Sequence, residues 1–114
     1  MRARREYDPP RFPLRSKTVG SWIFLSGVTD MAHATLEMQL PTILARINAS
    51  LRDADADWKD VVKVSFLLHE DENLDVVRDW FREAVPGVVA ALSWTYVGSR
   101  QGKRIELEVT ARRD

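Results

Sequence analysis

Arg104-Ile105-Glu106-Leu107-Glu108-Val109-Thr110-Ala111 alternates without a break. Ile105, Leu107, Val109 and Ala111 fall on one side of the run; Arg104, Glu106, Glu108 and Thr110 fall on the other. A period of two marks a strand with one buried face. Such a strand needs neighbours to pair with and an apolar layer to lie on. It therefore commits the chain to a sheet covered on one side.

Working outward, Val89 to Val97 reads as the preceding strand, joined to the last one by a hairpin-like loop over Gly98 to Gly102. In that strand Leu92, Trp94 and Tyr96 are expected to face the helices as core, and Ala91, Ser93 and Thr95 the opposite side. Val61 to Leu68 (VVKVSFLL) is rich in β-branched and aromatic residues and predicts a buried strand. Arg15 to Val19 and Trp22 to Ser26 predict two short strands around Gly20-Ser21, with Ser26-Gly27 closing the second.

Two helical stripes separate these strands. Leu36, Leu40, Ile43, Leu44, Ile47 and Leu51 form the first. It starts either near Leu40, with Pro41 in its first turn, or at Thr35 with a kink; Leu36 already belongs to the stripe and favours Thr35. The second stripe is Leu74, Val77, Trp80, Phe81, Ala84 and Val85, with Asn73 as N-cap and Pro86-Gly87 as stop. The order β-β-α-β-α-β-β predicts an α+β fold: a mixed sheet with two helices packed on one face. The other face carries apolar and small residues among polar ones, which predicts that another subunit covers it.

The chain has 114 residues, 45% hydrophobic and 30% charged, and a formal net charge of zero. This suits one globular domain over residues 1–114, with 1–11 as a flexible arm held extended by Pro9 and Pro10. Zero net charge supplies no electrostatic drive toward nucleic acid or membrane, and no opposition to self-association. The absence of cysteine excludes disulfides, thiol nucleophiles and Cys-ligated metals. No apolar run is long enough to span a bilayer, no signal segment is recognisable, and a cytoplasmic location is the default expectation.

Metal-binding motifs fail on inspection. Asp53, Asp55 and Asp57 space like the start of a calcium loop, but Trp58 stands where glycine is needed and Val64 where a bidentate acid is needed. They read instead as a solvated turn. His33 and His69 have no neighbouring ligand pattern, and His69-Glu70-Asp71 reads as a surface strand end. Gln39 reads as an exposed helical residue without chemistry. No cofactor motif is present.

Val19-Gly20-Ser21-Trp22-Ile23-Phe24-Leu25-Ser26-Gly27, Asp60-Val61-Val62-Lys63-Val64 and the closing Glu106-Leu107-Glu108 run resemble the RidA (YjgF-like) family of small trimeric imine deaminases. The resemblance covers about Phe12 to Ala111. It implies a chorismate-mutase-like fold, a homotrimer closing into a barrel, and a cofactor-free site in each inter-subunit cleft. Glu106 falls on the family's glutamate, which handles the hydrolytic water; a cleft carboxylate can act on water as acid or base. Ser26 and Gly27 would offer main-chain groups to the ligand. The family's carboxylate-gripping arginine falls on Ala91, and its following small residue on Ser93. Its tyrosine falls on Pro13. Alanine cannot form the paired charge-assisted bonds of a guanidinium. Arg15 is a candidate for partial compensation, and its plainer reading is a surface arginine.

The resemblance thus implies an enzyme of an arginine-lacking subgroup. It would act on a small imine or enamine other than the usual amino-acid-derived imine, one that is uncharged or bulkier. The alternative is a non-catalytic trimer that binds a metabolite or a protein. Endoribonuclease activity, attached to some relatives, finds no basic-aromatic strip here.

Overall fold

The computed structural model describes residues 16–98 and 102–114. Its strands are β1 (Ser16–Val19), β2 (Trp22–Val28), β3 (Val61–His69), β4 (Ala91–Val97) and β5 (Ile105–Arg112); its helices are α1 (Leu36–Asp53) and α2 (Leu74–Ala84). The five strands form one sheet in the order β1-β2-β5-β3-β4. β3 and β4 run parallel, and every other pair is antiparallel. This is the α+β arrangement that the sequence predicts.

β5 lies at the centre, between β2 and β3. Its alternation is realised residue by residue: Ile105, Leu107, Val109 and Ala111 are all buried. The central place corrects the hairpin expectation. The chain leaving β4 crosses β3 instead of folding straight back, because only the middle of the sheet buries all four of those side chains.

α1 begins where Thr35, in extended backbone, accepts a hydrogen bond from the Met38 amide at 3.3 Å. Pro41 lies inside the helix on an exposed position. Leu36, Leu40, Ile43, Ile47 and Leu51 are buried against the sheet. Asn73 caps α2 by accepting the Asp75 amide at 2.8 Å. Val77 and Phe81 turn inward, and the Phe81 ring meets Phe66 and Trp58 edge-on at centroid distances of 5.7 and 5.5 Å. The aspartates of the α1–β3 turn are largely exposed, and Asp57 caps the short turn Trp58–Asp60.

Two local expectations need correction. Leu92, Trp94 and Tyr96 stand beside buried Val64, Phe66 and Leu68, on the helix side as predicted. They are nevertheless exposed, because β4 is an edge strand with a neighbour on one side only. β4 also starts at Ala91, leaving Val89 in the preceding loop and almost fully exposed.

β2 does not end at Ser26-Gly27. It pairs with β5 through Leu25↔Val109 and resumes at Val28↔Leu107, so Ser26 and Gly27 together oppose Glu108. Two residues against one is a β-bulge, and Gly27 takes the left-handed backbone (φ +64°) that suits such a bend.

Candidate active site

The sheet face away from the helices carries Trp22 and Phe24 of β2, Glu106, Glu108 and Thr110 of β5, Ser65 and Leu67 of β3, and Ala91, Ser93 and Thr95 of β4. Glu106 sits opposite Leu67. Its side chain is only 17% exposed, although it belongs to the uncovered face.

The β2 bulge explains part of that burial. It brings the Gly27 backbone against the carboxylate: a Cβ placed on Gly27 would lie 3.5 Å from Glu106 Oε2. A second neighbour comes from the entry to β5, where Lys103 Nζ lies 3.4 Å from Glu106 Oε1. Glu106, Gly27 and Lys103 therefore form one cluster, with Ser26 on the adjacent bulge position. Lys103 escaped the sequence reading, since no pattern marks a loop lysine that precedes a strand by two residues.

The remaining predicted residues form a second cluster. Ser93 and Ser65 share a hydrogen bond at 2.9 Å across β4 and β3. Ala91 stands beside Lys63 on the neighbouring strand. From Glu106, Ala91 is four residues along and two strands across, roughly 16 Å at ordinary strand spacings. One protomer therefore does not join Ala91 and Ser93 to Glu106. Arg15 lies outside the described residues.

Behind Glu106 is a buried polar frame. Gln39, read from sequence as exposed, is completely buried. Its Nε2 donates to the carbonyls of His33 (2.7 Å) and Gly102 (2.9 Å), and its Oε1 accepts the Arg104 amide at 3.0 Å. The position on the inner face of α1 forces that burial, and three bonds offset the desolvation of the amide. Thr29 donates its hydroxyl to the Ile105 carbonyl at 2.7 Å. Arg46 donates to the Thr29 carbonyl.

Asp30, also fully buried, contacts the His33 ring nitrogen Nδ1 at 2.6 Å and accepts the Ala32 amide at 2.9 Å. The His33 bond first, then that amide, hold its carboxyl below the usual range, against the opposing effect of burial. His69 is buried as well, correcting the surface reading; its Nδ1 accepts the Asp71 amide at 3.1 Å.

Among the described residues no three acidic or histidine side chains gather as a metal site. No helix among them is long and apolar enough to cross a membrane. The Glu106 cluster thus offers one carboxylate, one ammonium and a turn of backbone beside a shielded spot.

No family model matches the sequence, and no curated protein matches it significantly. Solved structures do match. A YjgF/YER057c/UK114 family member from Mycobacterium tuberculosis is 22% identical, with a TM-score of 0.77 over 86% of this chain and 84% of that one. A YjgF family protein from Neisseria meningitidis is 22% identical, with a TM-score of 0.80 over 93% and 90%. A Thermotoga maritima protein named only provisionally as an endoribonuclease is 22% identical, with a TM-score of 0.78 over 88% and 85%. The chain has the fold of the YjgF/YER057c/UK114 proteins.

Proposed function

We propose that this protein is a RidA-like, cofactor-free homotrimeric enzyme that hydrolyses a small imine or enamine in a cleft between subunits. The observation that carries this reading is the shielded Glu106 carboxylate beside the Gly27 bulge, on a face otherwise open to a second copy. A carboxylate so placed can take a proton from water as the water oxygen adds to the imine carbon. The same proton goes to the imine nitrogen, giving a carbinolamine; the hydroxyl proton of that adduct then passes to the nitrogen, the C–N bond breaks as the C=O bond forms, and ammonia and a carbonyl compound leave. Ser26 and Gly27 line the cleft from the Glu106 side. In a trimer, Ala91 and Ser93 of a neighbouring copy would line it from the other side. Ala91 leaves space where a guanidinium would grip a carboxylate.

The experiment is a coupled assay. An amino-acid oxidase generates a panel of imines, and their loss is followed with wild type, with Glu106→Ala and without protein. Acceleration by wild type that Glu106→Ala lowers by about a hundredfold or more supports the enzyme. No acceleration on any imine transfers the weight to a non-catalytic trimer, a reading favoured by the missing guanidinium at Ala91. The endoribonuclease reading has less support. Net charge is zero, and Glu106 and Glu108 stand on the open face where a phosphate backbone would need cations.

A further inference from the structure

Asp30 and His33 form a second acid–base pair that the Glu106 chemistry leaves unused. Asp30 is fully buried, and a carboxylate keeps its charge there only where partners hold it. Those partners are the His33 ring, with Nδ1 2.6 Å from Asp30 Oδ2, and the Ala32 amide, 2.9 Å from Oδ1. An ionised carboxylate can only accept, so with Asp30 ionised the hydrogen of the short bond belongs to Nδ1. Nε2 of the neutral ring then carries a lone pair. The His33 side chain is 40% exposed and that of Asp30 0%, so the Nδ1 edge is turned inward and the Nε2 edge outward. A buried acid that fixes one ring nitrogen and presents the other is how a histidine is made ready to move protons. The pair also sits over the strand entry that carries Glu106. Thr29, just before Asp30, donates to the Ile105 carbonyl at 2.7 Å, in the peptide group that leads into Glu106. Gln39 Nε2 ties the His33 carbonyl to that of Gly102, at 2.7 and 2.9 Å. Lys103, next in the chain, reaches Glu106 at 3.4 Å. The hydrogen bonds that set the start of β5 therefore also set the His33 backbone.

We propose that His33 is the proton relay of the Glu106 site: its Nε2 takes the hydroxyl proton of the carbinolamine and delivers it to the nitrogen. This rests on the reading of Glu106 as the group that activates water. The oxygen and nitrogen of a carbinolamine share one carbon, and direct transfer between them passes through a strained ring of four atoms. A base that reaches both removes that strain. The O–H bond breaks as Nε2–H forms, and Nε2–H breaks as N–H forms. The C–N bond then breaks as the C=O bond forms, and the imidazole ends neutral, as it began. Asp30 stays ionised throughout and stabilises the transient imidazolium. Glu106 serves the water from β5, and His33 serves the heteroatoms from the turn between β2 and α1.

The test is the coupled imine assay with two variants. His33→Asn keeps an amide that can donate to Asp30 but has no basic nitrogen; His33→Ala leaves room for a small base. Both are expected to lower kcat about a hundredfold and to keep KM within a few-fold of wild type. Added imidazole is expected to raise His33→Ala turnover about tenfold or more, which a merely structural role would not allow. Turnover in His33→Asn equal to wild type overturns the relay, as does a loss in His33→Ala that imidazole leaves unrepaired. A substrate-free arm reads the placement. The ring-nitrogen NMR signals of His33 are expected to move in Glu106→Gln and to stay in the remote control Lys59→Met; unmoved signals in Glu106→Gln overturn the relay whatever the assay gives. The two readings separate. If turnover needs Glu106 and ignores His33, the relay fails alone. If turnover needs His33, with imidazole rescue, and ignores Glu106, the Glu106 reading fails and the proton role of His33 stands. No turnover by wild type on any imine overturns both.

Discussion

Gly27 shows how much one backbone angle controls at this site. Its φ of +64° is open to glycine at no cost and disfavours any residue with a Cβ. The added methyl of Gly27→Ala would meet Glu106 Oε2 at an ordinary contact distance of 3.5 Å, so the penalty is conformational, not a clash. Gly27→Ala is expected to lose about 1 kcal/mol of stability in chemical denaturation and to lower imine turnover by shifting the bulge. A variant as stable as wild type would show that the bulge tolerates a side chain. Asp30 carries a pH signature. Its folded-state pKa is depressed below the ordinary 3.8, so its contribution is complete above that value and fades as pH falls through the lower folded value. Asp30→Asn should therefore flatten the acid limb of a thermal-unfolding series between pH 5 and the acid transition. An unchanged acid limb would mean that other carboxylates dominate it.

Among the elements, α1 carries the clearest internal conflict. Pro41 has no N–H to give the Glu37 carbonyl, yet the helix continues unbroken to Asp53. Burial of Leu36, Leu40, Ile43, Ile47 and Leu51 outweighs that loss. Since Pro41 is exposed, Pro41→Ala should raise stability by about 1–3 kcal/mol in guanidinium unfolding. No gain would mean that the proline shapes the helix to fit the sheet. β4 shows the reverse situation. Its pattern is as regular as that of β5, but an edge position leaves Trp94 46% exposed where Phe66 beside it is 2%. Period two tells which residues share a face; it does not tell how much of that face is covered.

For the whole molecule, the uncovered sheet face is where the proposed trimer would close. Trp22 and Phe24 stack at 6.5 Å and are 40% and 42% exposed on it. Paired large aromatics on an open sheet suit an interface between copies. Phe24→Glu is expected to shift sedimentation from trimer to monomer and to abolish imine turnover, while the monomer keeps its circular-dichroism spectrum. A trimer that survives the charge would place the interface elsewhere. The zero net charge leaves no general repulsion to hide the effect.

Local chemistry made the elements legible from sequence. Alternation in β5, the stripe ahead of Asp53, the caps Thr35 and Asn73 and the glycine at position 27 are each set by neighbours within a few residues. They also placed Glu106 on the open face. Tertiary structure alone decided the rest. The central place of β5 follows from which strand buries the most apolar surface on its covered side, a comparison between strands that no single strand contains. Gln39 and His69 look like surface residues because polar side chains usually are. They are buried because their partners, Gly102 and Arg104 for one and Asp71 for the other, complete their hydrogen bonds in the folded chain. Lys103 entered the site in the same way, since its stem is fixed by a glutamine more than sixty residues away in sequence. Separation between Glu106 and Ala91 is likewise a property of the sheet, because strand order, not sequence distance, sets how far apart two side chains stand.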